Sequence, residues 1–303
     1  MSGLPGGEGD AVRYRARHVT SYAYADAVGS SHQLVHLVPR ALPRQTVLAS
    51  RVEVRPEPAV WSPRRDWFGN EMVQFTIETR HRHLVIEAEC EVALRPAPPP
   101  PPGPRWEEVR ERLLAGGPDS LDAIEHCFDS ALVRTSPDLA AYAAPSFPAG
   151  RPVVEGLRDL NSRIHRDFTF DPQATTLATP IHEVLANRRG VCQDFAHLMI
   201  GCLRSLGLAA RYVSGYLRTI PPPGRPRLVG ADASHAWLAA WTGGDWLDLD
   251  PTNDCLPGLD HIVLAWGRDY DDVAPVRGII DGGGAHTLSV AVDVLPLDEV
   301  AGA

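Results

Sequence analysis

Seven of the ten residues from 95 to 104 are prolines, and this run limits the fold of the whole chain. Proline lacks a backbone N–H and fixes φ, so the segment can neither pair inside a sheet nor continue an α-helix. We expect a stiff polyproline II spacer there. Because single cores rarely grow past roughly 250 to 300 residues, the spacer predicts two domains joined by a linker at residues 96–104.

The segment before the spacer has the alternating pattern of β-strands. Apolar and polar residues alternate, and turn-forming residues such as Pro39, Pro56 and Gly69 separate the alternating stretches. Strands are predicted at residues 12–15, 47–54, 72–77 and 84–94. Short strands at this spacing are typical of antiparallel sandwiches. Residues 11–95 are therefore predicted to form an N-terminal antiparallel β-sandwich.

The segment after the spacer changes to helical periodicity and then returns to alternation. Helices are predicted at residues 106–114, 120–132, 153–167, 180–187 and 192–206. Strands are predicted at 209–217, 235–241, 246–250 and 287–295, with a proline-rich loop at 219–230. We therefore predict that residues 105–298 form an α+β domain in which a helical layer precedes an antiparallel sheet.

Composition narrows the partners and the compartment. The formal net charge is −9 at pH 7, so there is no electrostatic reason to expect nucleic acid or an anionic membrane as partner. A peptide or a small molecule is expected instead. The N-terminus lacks the features of a secretion signal, and no run of 18 apolar residues occurs. These features predict a cytoplasmic protein without a membrane span.

The histidines and cysteines do not have the spacing of a metal site. The five cysteines are scattered without CxxC spacing, which argues against both a disulfide framework and a zinc site. His32 and His36 are four residues apart, but no carboxylate or thiol is near them in the sequence. We therefore expect free thiols and no bound metal.

Cys192 differs from the other cysteines in its position. It follows Gly190 and lies in the first turn of the predicted amphipathic helix. Unpaired N–H groups and the positive end of the helix dipole favour thiolate over thiol there, and a thiolate is a nucleophile at neutral pH. The alternative is a small buried residue on the apolar stripe that includes Phe195, since free cysteines are commonly buried.

A histidine and two aspartates follow in a predicted hairpin. If Trp241 pairs with Trp246, the register places His235 and Asp250 diagonally on one face, with Cβ atoms roughly 7 to 8 Å apart. Asp248 lies roughly 6 to 7 Å farther along the strand, too far to hold the same imidazole. The register therefore selects Asp250 as the carboxylate that orients the imidazole.

These residues suit the chemistry of a cysteine nucleophile. His235 is predicted to take the Cys192 proton and later to protonate a leaving amine, while Asp250 fixes the imidazole tautomer. The backbone N–H of Cys192 is a candidate oxyanion donor. An exposed histidine beside a solvated aspartate in a surface hairpin is the simpler alternative for that pair taken alone.

The same region resembles a known superfamily. The motifs that carry the resemblance are GVCQDFAH at 190–197, LRSLG at 203–207, ARYVSGY at 210–216, DASHAW at 232–237 and DPT at 250–252. They are similar to the core of the transglutaminase-like superfamily, in particular to bacterial transglutaminase-like proteins. The N-terminal motifs YAY at 22–24, LVPR at 37–40 and DWFGN at 66–70 resemble the β-rich region that precedes this core.

The resemblance implies a papain-like core with a catalytic triad of Cys192, His235 and Asp250. It also implies hydrolysis or transfer at an amide of a peptide or protein through a thioester, without metal or organic cofactor. The sequence departs from the family pattern at Phe170, where an aromatic hydroxyl is common, and at Asp254, where asparagine is frequent. Neither departure removes a member of the triad.

Four other residues are weaker candidates. Asp194 and His197 follow Cys192 on its helix, and Asp194 could reach His197 at i, i+3. We expect them to support the site or to contact the other domain. Trp237 shares the face of His235. Tyr270, in the WGRDYDDV segment at 266–273, is either a wall of the substrate site or an aromatic packed beside an ion pair of Arg268.

Three functions remain open from the sequence. The first is a cysteine peptidase or amidase that uses water as acceptor. The second is a transglutaminase-type acyltransferase that passes the acyl group to an amine. The third is a non-enzymatic scaffold that binds a partner through its β-rich domain, as some superfamily members do.

Overall fold

The computed structural model describes residues 11–177, 179–219 and 233–297. The predicted proline-rich loop at 219–230 lies outside the described residues except for Thr219, and so does residue 298 at the predicted end of the second domain. Within the described part, no helix combines the length and the apolar character needed to cross a membrane. The chain combines helices with antiparallel sheets, so the predicted α+β class is confirmed.

The predicted N-terminal sandwich takes the form of one continuous antiparallel sheet. Its first five strands are β1 (Val12–Val35), β2 (Gln45–Arg55), β3 (Val60–Arg65), β4 (Glu71–Ile77) and β5 (His81–Leu94). In β5, buried side chains alternate with less buried ones as the sequence pattern predicts. The pattern does not predict β3, an edge strand in which Pro63 is tolerated.

The long strand β1 changes partners along its length. Its first half lies between β5 and β13 (His286–Pro296), and its second half lies between β4 and β12 (Val276–Gly282). These two C-terminal strands cover edges of β1 that would otherwise be unpaired. The second domain is predicted to include residues 105–298, but its last two strands belong to the N-terminal sheet. Alternation predicts a strand at 287–295 but does not identify its partner, which lies in the N-terminal sheet.

Helices follow the spacer as predicted, together with one helix that the pattern does not predict, at Pro137–Ala143. They are α1 (Trp106–Ala115), α2 (Leu121–Ile124), α3 (Pro137–Ala143), α4 (Val153–Asp167), α5 (Ile181–Asn187) and α6 (Cys192–Ser205). The bounds of α4 agree with the prediction. Helix α6 ends before Gly207, which has φ +79° and donates its N–H to the Arg204 carbonyl, as expected for a helix-terminating glycine.

The helix predicted at 120–132 is wrong in length. Helix α2 ends at Ile124, and the chain continues only as a short 3₁₀ turn. Side chains from other parts of the chain form hydrogen bonds with backbone groups that would pair with each other in a longer helix. Arg204 donates to the His126 carbonyl at 2.9 Å, and the Leu132 N–H donates to Asp269 at 2.8 Å. Tertiary contacts therefore override the local preference for a helix.

The second sheet lies against α6. Its strands are β8 (Ala210–Leu217), β9 (Ala233–Trp241), β10 (Trp246–Leu249) and β11 (His261–Gly267), in the order β10-β9-β8-β11. A short parallel pair, β6 (Thr169–Phe170) and β7 (Arg189–Gly190), leads into α6, and α7 (Tyr270–Val273) follows β11. This is the predicted helical layer on an antiparallel sheet.

The two sheets meet through apolar and cation–π contacts. Tyr216 and Ile262 of the second sheet belong to the apolar core of the first. The guanidinium groups of Arg40, from the N-terminal unit, and Arg211, from β8, lie 3.5 and 3.7 Å from the ring centroid of Trp266. Two groups this close fit only on opposite faces of the indole, so Trp266 joins the two units.

Candidate active site

Cys192 is the first residue of α6, and the residues around it set its position. Val191 is extended, and its N–H donates to Asp194 in the first turn at 2.8 Å. Gly190 leaves room for that carboxylate, since a Cβ there would lie 2.7 Å from Oδ2 of Asp194. The half-buried thiol therefore lies at a helix N-terminus, where the first N–H groups have no partner within the helix.

His235 lies on β9 with a buried ring, and its Nε2 is 2.7 Å from Oδ2 of Asp250. That contact leaves Nδ1 for the thiol of Cys192. Burial alone would lower the pKa of His235, but hydrogen bonds with Asp250 and Cys192 outweigh burial and raise the pKa to about 9. The imidazole is therefore protonated at neutral pH and can form an ion pair with a thiolate.

Asp250 is fully buried and accepts five hydrogen bonds. Its Oδ2 faces His235, the Asn253 amide at 2.7 Å and Nε2 of His261 at 3.2 Å. Its Oδ1 accepts from the N–H groups of Thr252 and Asn253. Burial raises the pKa of a carboxyl group, but the hydrogen bonds from His235 and His261 hold the pKa of Asp250 well below its ordinary value. The carboxylate is therefore ionised.

The hairpin register distinguishes the two aspartates. Trp241 pairs with Trp246, as predicted. The ladder ends at Leu249, one residue before Asp250, so Asp250 lies just beyond the paired part of the hairpin. Asp248 has a different partner and accepts a hydrogen bond from Nε1 of Trp237 at 3.3 Å. Of the two aspartates, Asp250 is the one at the His235 ring.

His261 lies in the site although the sequence does not identify it as a candidate. It is the first residue of β11, and it precedes an apolar run that indicates only a buried strand. The pairing of β11 with β8 places it opposite Leu217, two residues from Gly215, which pairs with His235. Only the order of strands in the sheet brings the two imidazoles together, and sequence spacing does not show that order.

Asp194 and His197, the two supporting candidates on α6, have separate partners. Asp194 accepts from Thr175 Oγ1 at 2.6 Å and so ties the loop before α5 to the start of α6. His197 accepts the Tyr270 N–H at 3.1 Å, and its ring lies 5.0 Å from that of Tyr212. Burial lowers the pKa of His197 to about 4, so the ring is neutral and can accept. The contact expected between Asp194 and His197 is replaced by these partners.

Trp237 and Tyr270 lie on different sides of this region. Trp237 is fully buried, and its ring centroid is 6.0 Å from that of His235 and 5.3 Å from that of His261. Tyr270 is half-buried at the start of α7, with its ring edge-on to Tyr212. The ion pair considered as the alternative is present, because Arg268 binds Asp272 at 2.9 Å.

The site combines a thiol, two imidazoles and a carboxylate. Ligand atoms of His235, Asp250 and His261 lie within 4.8 Å of one another, and Zn²⁺ binds such groups. These atoms already hydrogen-bond to each other, and Nδ1 of His261 has no acceptor among the described residues that would anchor the ring as a ligand. The arrangement suits proton transfer from thiol to imidazole better than metal binding.

Comparisons with known proteins agree on one family. The bacterial transglutaminase-like N-terminal region matches residues 14–93, and the transglutaminase-like superfamily matches residues 141–251. An uncharacterised protein of Mycobacterium tuberculosis is 46% identical over 297 residues, which cover 94% of this chain and 93% of that protein. A protein-glutamine gamma-glutamyltransferase of Pseudomonas aeruginosa is 30% identical over 150 residues, or 43% of this chain and 22% of that protein.

The fold also has a solved counterpart. The crystal structure of a proposed cysteine protease from Cytophaga hutchinsonii superimposes with a TM-score of 0.76 at 20% identity, covering 96% of this chain and 92% of that one. The similarity therefore extends over both units. Cys192, His235 and Asp250 all fall within the superfamily match. The chain belongs to the bacterial transglutaminase-like proteins of the transglutaminase-like superfamily.

Proposed function

We propose that the protein is a cysteine hydrolase that cleaves an amide bond of a peptide or isopeptide through a Cys192 thioester. The observation that carries the proposal is the hydrogen-bonded series from Cys192 to His235 to the buried Asp250, in which His235 is protonated at neutral pH. Membership of the superfamily supports thiol chemistry at amides. The N-terminal sheet supports the proposed function only indirectly, because residues 14–93 match the N-terminal region of the same family.

The proposed reaction has two halves. The Cys192 thiolate attacks the carbonyl carbon, and its electron pair forms the C–S bond while the carbonyl electrons move to oxygen, which accepts the Cys192 N–H. The tetrahedral intermediate breaks its C–N bond, and the departing amine takes the proton of His235. Neutral His235 then removes a proton from water, and the hydroxide attacks the thioester carbon to form a second tetrahedral intermediate. Its C–S bond breaks, the electron pair returns to sulfur as the Cys192 thiolate beside protonated His235, and the acid is released. Asp250 holds His235 throughout.

Selective labelling of Cys192 tests the nucleophile. Iodoacetamide followed by mass spectrometry should alkylate Cys192 at least tenfold faster than Cys127 and Cys255, which have similar exposure. Burial raises the pKa of both of those thiols to about 11. They are matched internal controls. Equal labelling of all the cysteines in the folded protein would count against the proposal.

An amine acceptor is the second candidate, and similarity to the Pseudomonas gamma-glutamyltransferase favours it. Incubation of the protein with a peptide amide and a tagged primary amine separates the two reactions. A hydrolase releases free acid even when the amine is abundant, whereas an acyltransferase forms the tagged amide. Cys192→Ala should abolish either product. If that variant keeps the full cellular effect of the protein, a scaffold role replaces both enzymatic functions.

A cytoplasmic location is part of the same proposal. All five cysteines are free thiols, as is usual in a reducing compartment. Fractionation of cells that express the full chain tests this, with recovery in the periplasmic or secreted fraction as the contrary result.

A further inference from the structure

Within the part of the chain that the structure describes, His261 has a polar partner on one side of its ring and none on the other. The ring is buried, and Nε2 lies 3.2 Å from Oδ2 of Asp250. The other nitrogen, Nδ1, is buried without a hydrogen-bond partner among the described residues. Trp237 packs edge-on against the ring at 5.3 Å. The contact with Asp250 is thus the polar interaction that this imidazole makes.

The chemistry of the carboxylate determines which nitrogen of His261 is the donor. An ionised carboxylate only accepts hydrogen bonds, so Nε2 of His261 must carry a proton. A buried Nδ1 without a hydrogen-bond partner lowers stability. An apolar residue would avoid that loss beside Trp237. The hydrogen bond to Asp250 is therefore the interaction that compensates for burying an imidazole at this position.

We propose that His261 is a positioning residue that acts through Asp250, holding Oδ2 toward His235. This inference rests on the proposed function of the site. Oδ2 receives Nε2 of His235 and the Asn253 amide at 2.7 Å each, and His261 donates from a different strand, β11. Among the described residues, the charged and titratable groups near His261 include His235 from β9, Asp250 beyond β10, Asp248 on β10 and the adjacent Asp260.

Two substitutions separate the hydrogen bond from the bulk of the ring. His261→Phe keeps a planar ring without a donor, whereas His261→Gln keeps an N–H near the position of Nε2. The pH profile of Cys192 alkylation by iodoacetamide is measured for both variants and the unaltered protein. In His261→Phe we expect a rate about tenfold to a hundredfold lower at pH 7 and an alkaline limb moved to lower pH, because His235 loses support. His261→Gln should recover most of the alkylation rate at pH 7 and most of the position of the alkaline limb.

A profile for His261→Phe equal to that of the unaltered protein would overturn the proposal, while rapid selective labelling of Cys192 would preserve the proposed function. If Cys192 of the unaltered protein reacts no faster than the other cysteines, the role of His261 and the proposed function are both refuted. Should His261→Phe fail to fold, ¹⁵N NMR of the unaltered protein decides. We expect a proton on Nε2 of His261, and a proton on Nδ1 alone would contradict the hydrogen bond.

Discussion

The indole of Trp237 covers the α-carbon of Gly215. A Cβ at Gly215 would lie 2.8 Å from Cζ3 of Trp237, and closer still to Cη2 of the same ring and to the Ile262 carbonyl oxygen. Gly215 pairs with His235 across β8 and β9. The absence of a side chain at this position therefore allows the tryptophan to lie against both imidazoles of the site.

Gly215→Ala should displace Trp237 and, with it, His235. Overpacking of this kind costs about 1–3 kcal/mol of stability, and we expect kcat/KM to fall at least tenfold because the displaced imidazole loses its alignment. Gly244→Ala is the control, since nothing lies within 4 Å of its added Cβ. Amide hydrolysis and thermal melting measure the two effects. Normal kinetics in Gly215→Ala would contradict the role assigned to the packing.

Exchanging the two aspartates for asparagine tests which one orients the imidazole. Asp250→Asn should reduce kcat by about 10³- to 10⁴-fold, because the amide favours the wrong tautomer of His235. Asp248→Asn keeps an oxygen that can accept from Trp237, so we expect less than a tenfold change. Steady-state rates of both variants, compared at equal folded fraction, decide between them. Equal losses would argue against the assignment of Asp250.

Stability should depend on pH through His235. Its pKa is about 9 in the folded protein, against an ordinary value of 6.5. Its contribution is fully present below pH 6.5 and is lost as the pH rises through 9. The difference in unfolding free energy between the unaltered protein and His235→Gln should therefore shrink over that range, by at most about 3 kcal/mol.

Urea titrations at pH 6, 7.5 and 9.5 measure this difference. His182→Gln, at an exposed position on α5, is the control for the substitution itself. A difference for His235→Gln that grows with pH would reverse the sign and refute the assignment.

Arg204 is a structural arginine whose removal should destabilise the protein. It is buried and donates to the carbonyl groups of His126, Ala210 and Arg268. Lysine cannot reproduce this fork of donors, so Arg204→Lys should lower the unfolding free energy by about 2–4 kcal/mol. Arg158→Lys, exposed on α4, should change it by less than about 0.5 kcal/mol. Urea denaturation compares the two, and equal stability would contradict the role of Arg204.

Local pattern predicts the parts of this molecule that depend on local physics. The start of α6 at Cys192, its end before Gly207, and the register of Trp241 with Trp246 all follow from caps and alternation. His261 does not, because a histidine next to a buried strand has no local signature. Its role depends on β11 lying beside β8, which is a property of the whole sheet.

The pairing of β1 with β12 and β13 has a consequence for the order in which the chain can fold. During synthesis on the ribosome, the edges of β1 that these strands cover stay unpaired until residues 276–296 have been made. The segment between β5 and β12, residues 95–275, is thus an insertion within the first sheet. A nascent chain that stops at the proline spacer presents open strand edges, which favour aggregation, and residues 11–95 made alone should not give a cooperative melt.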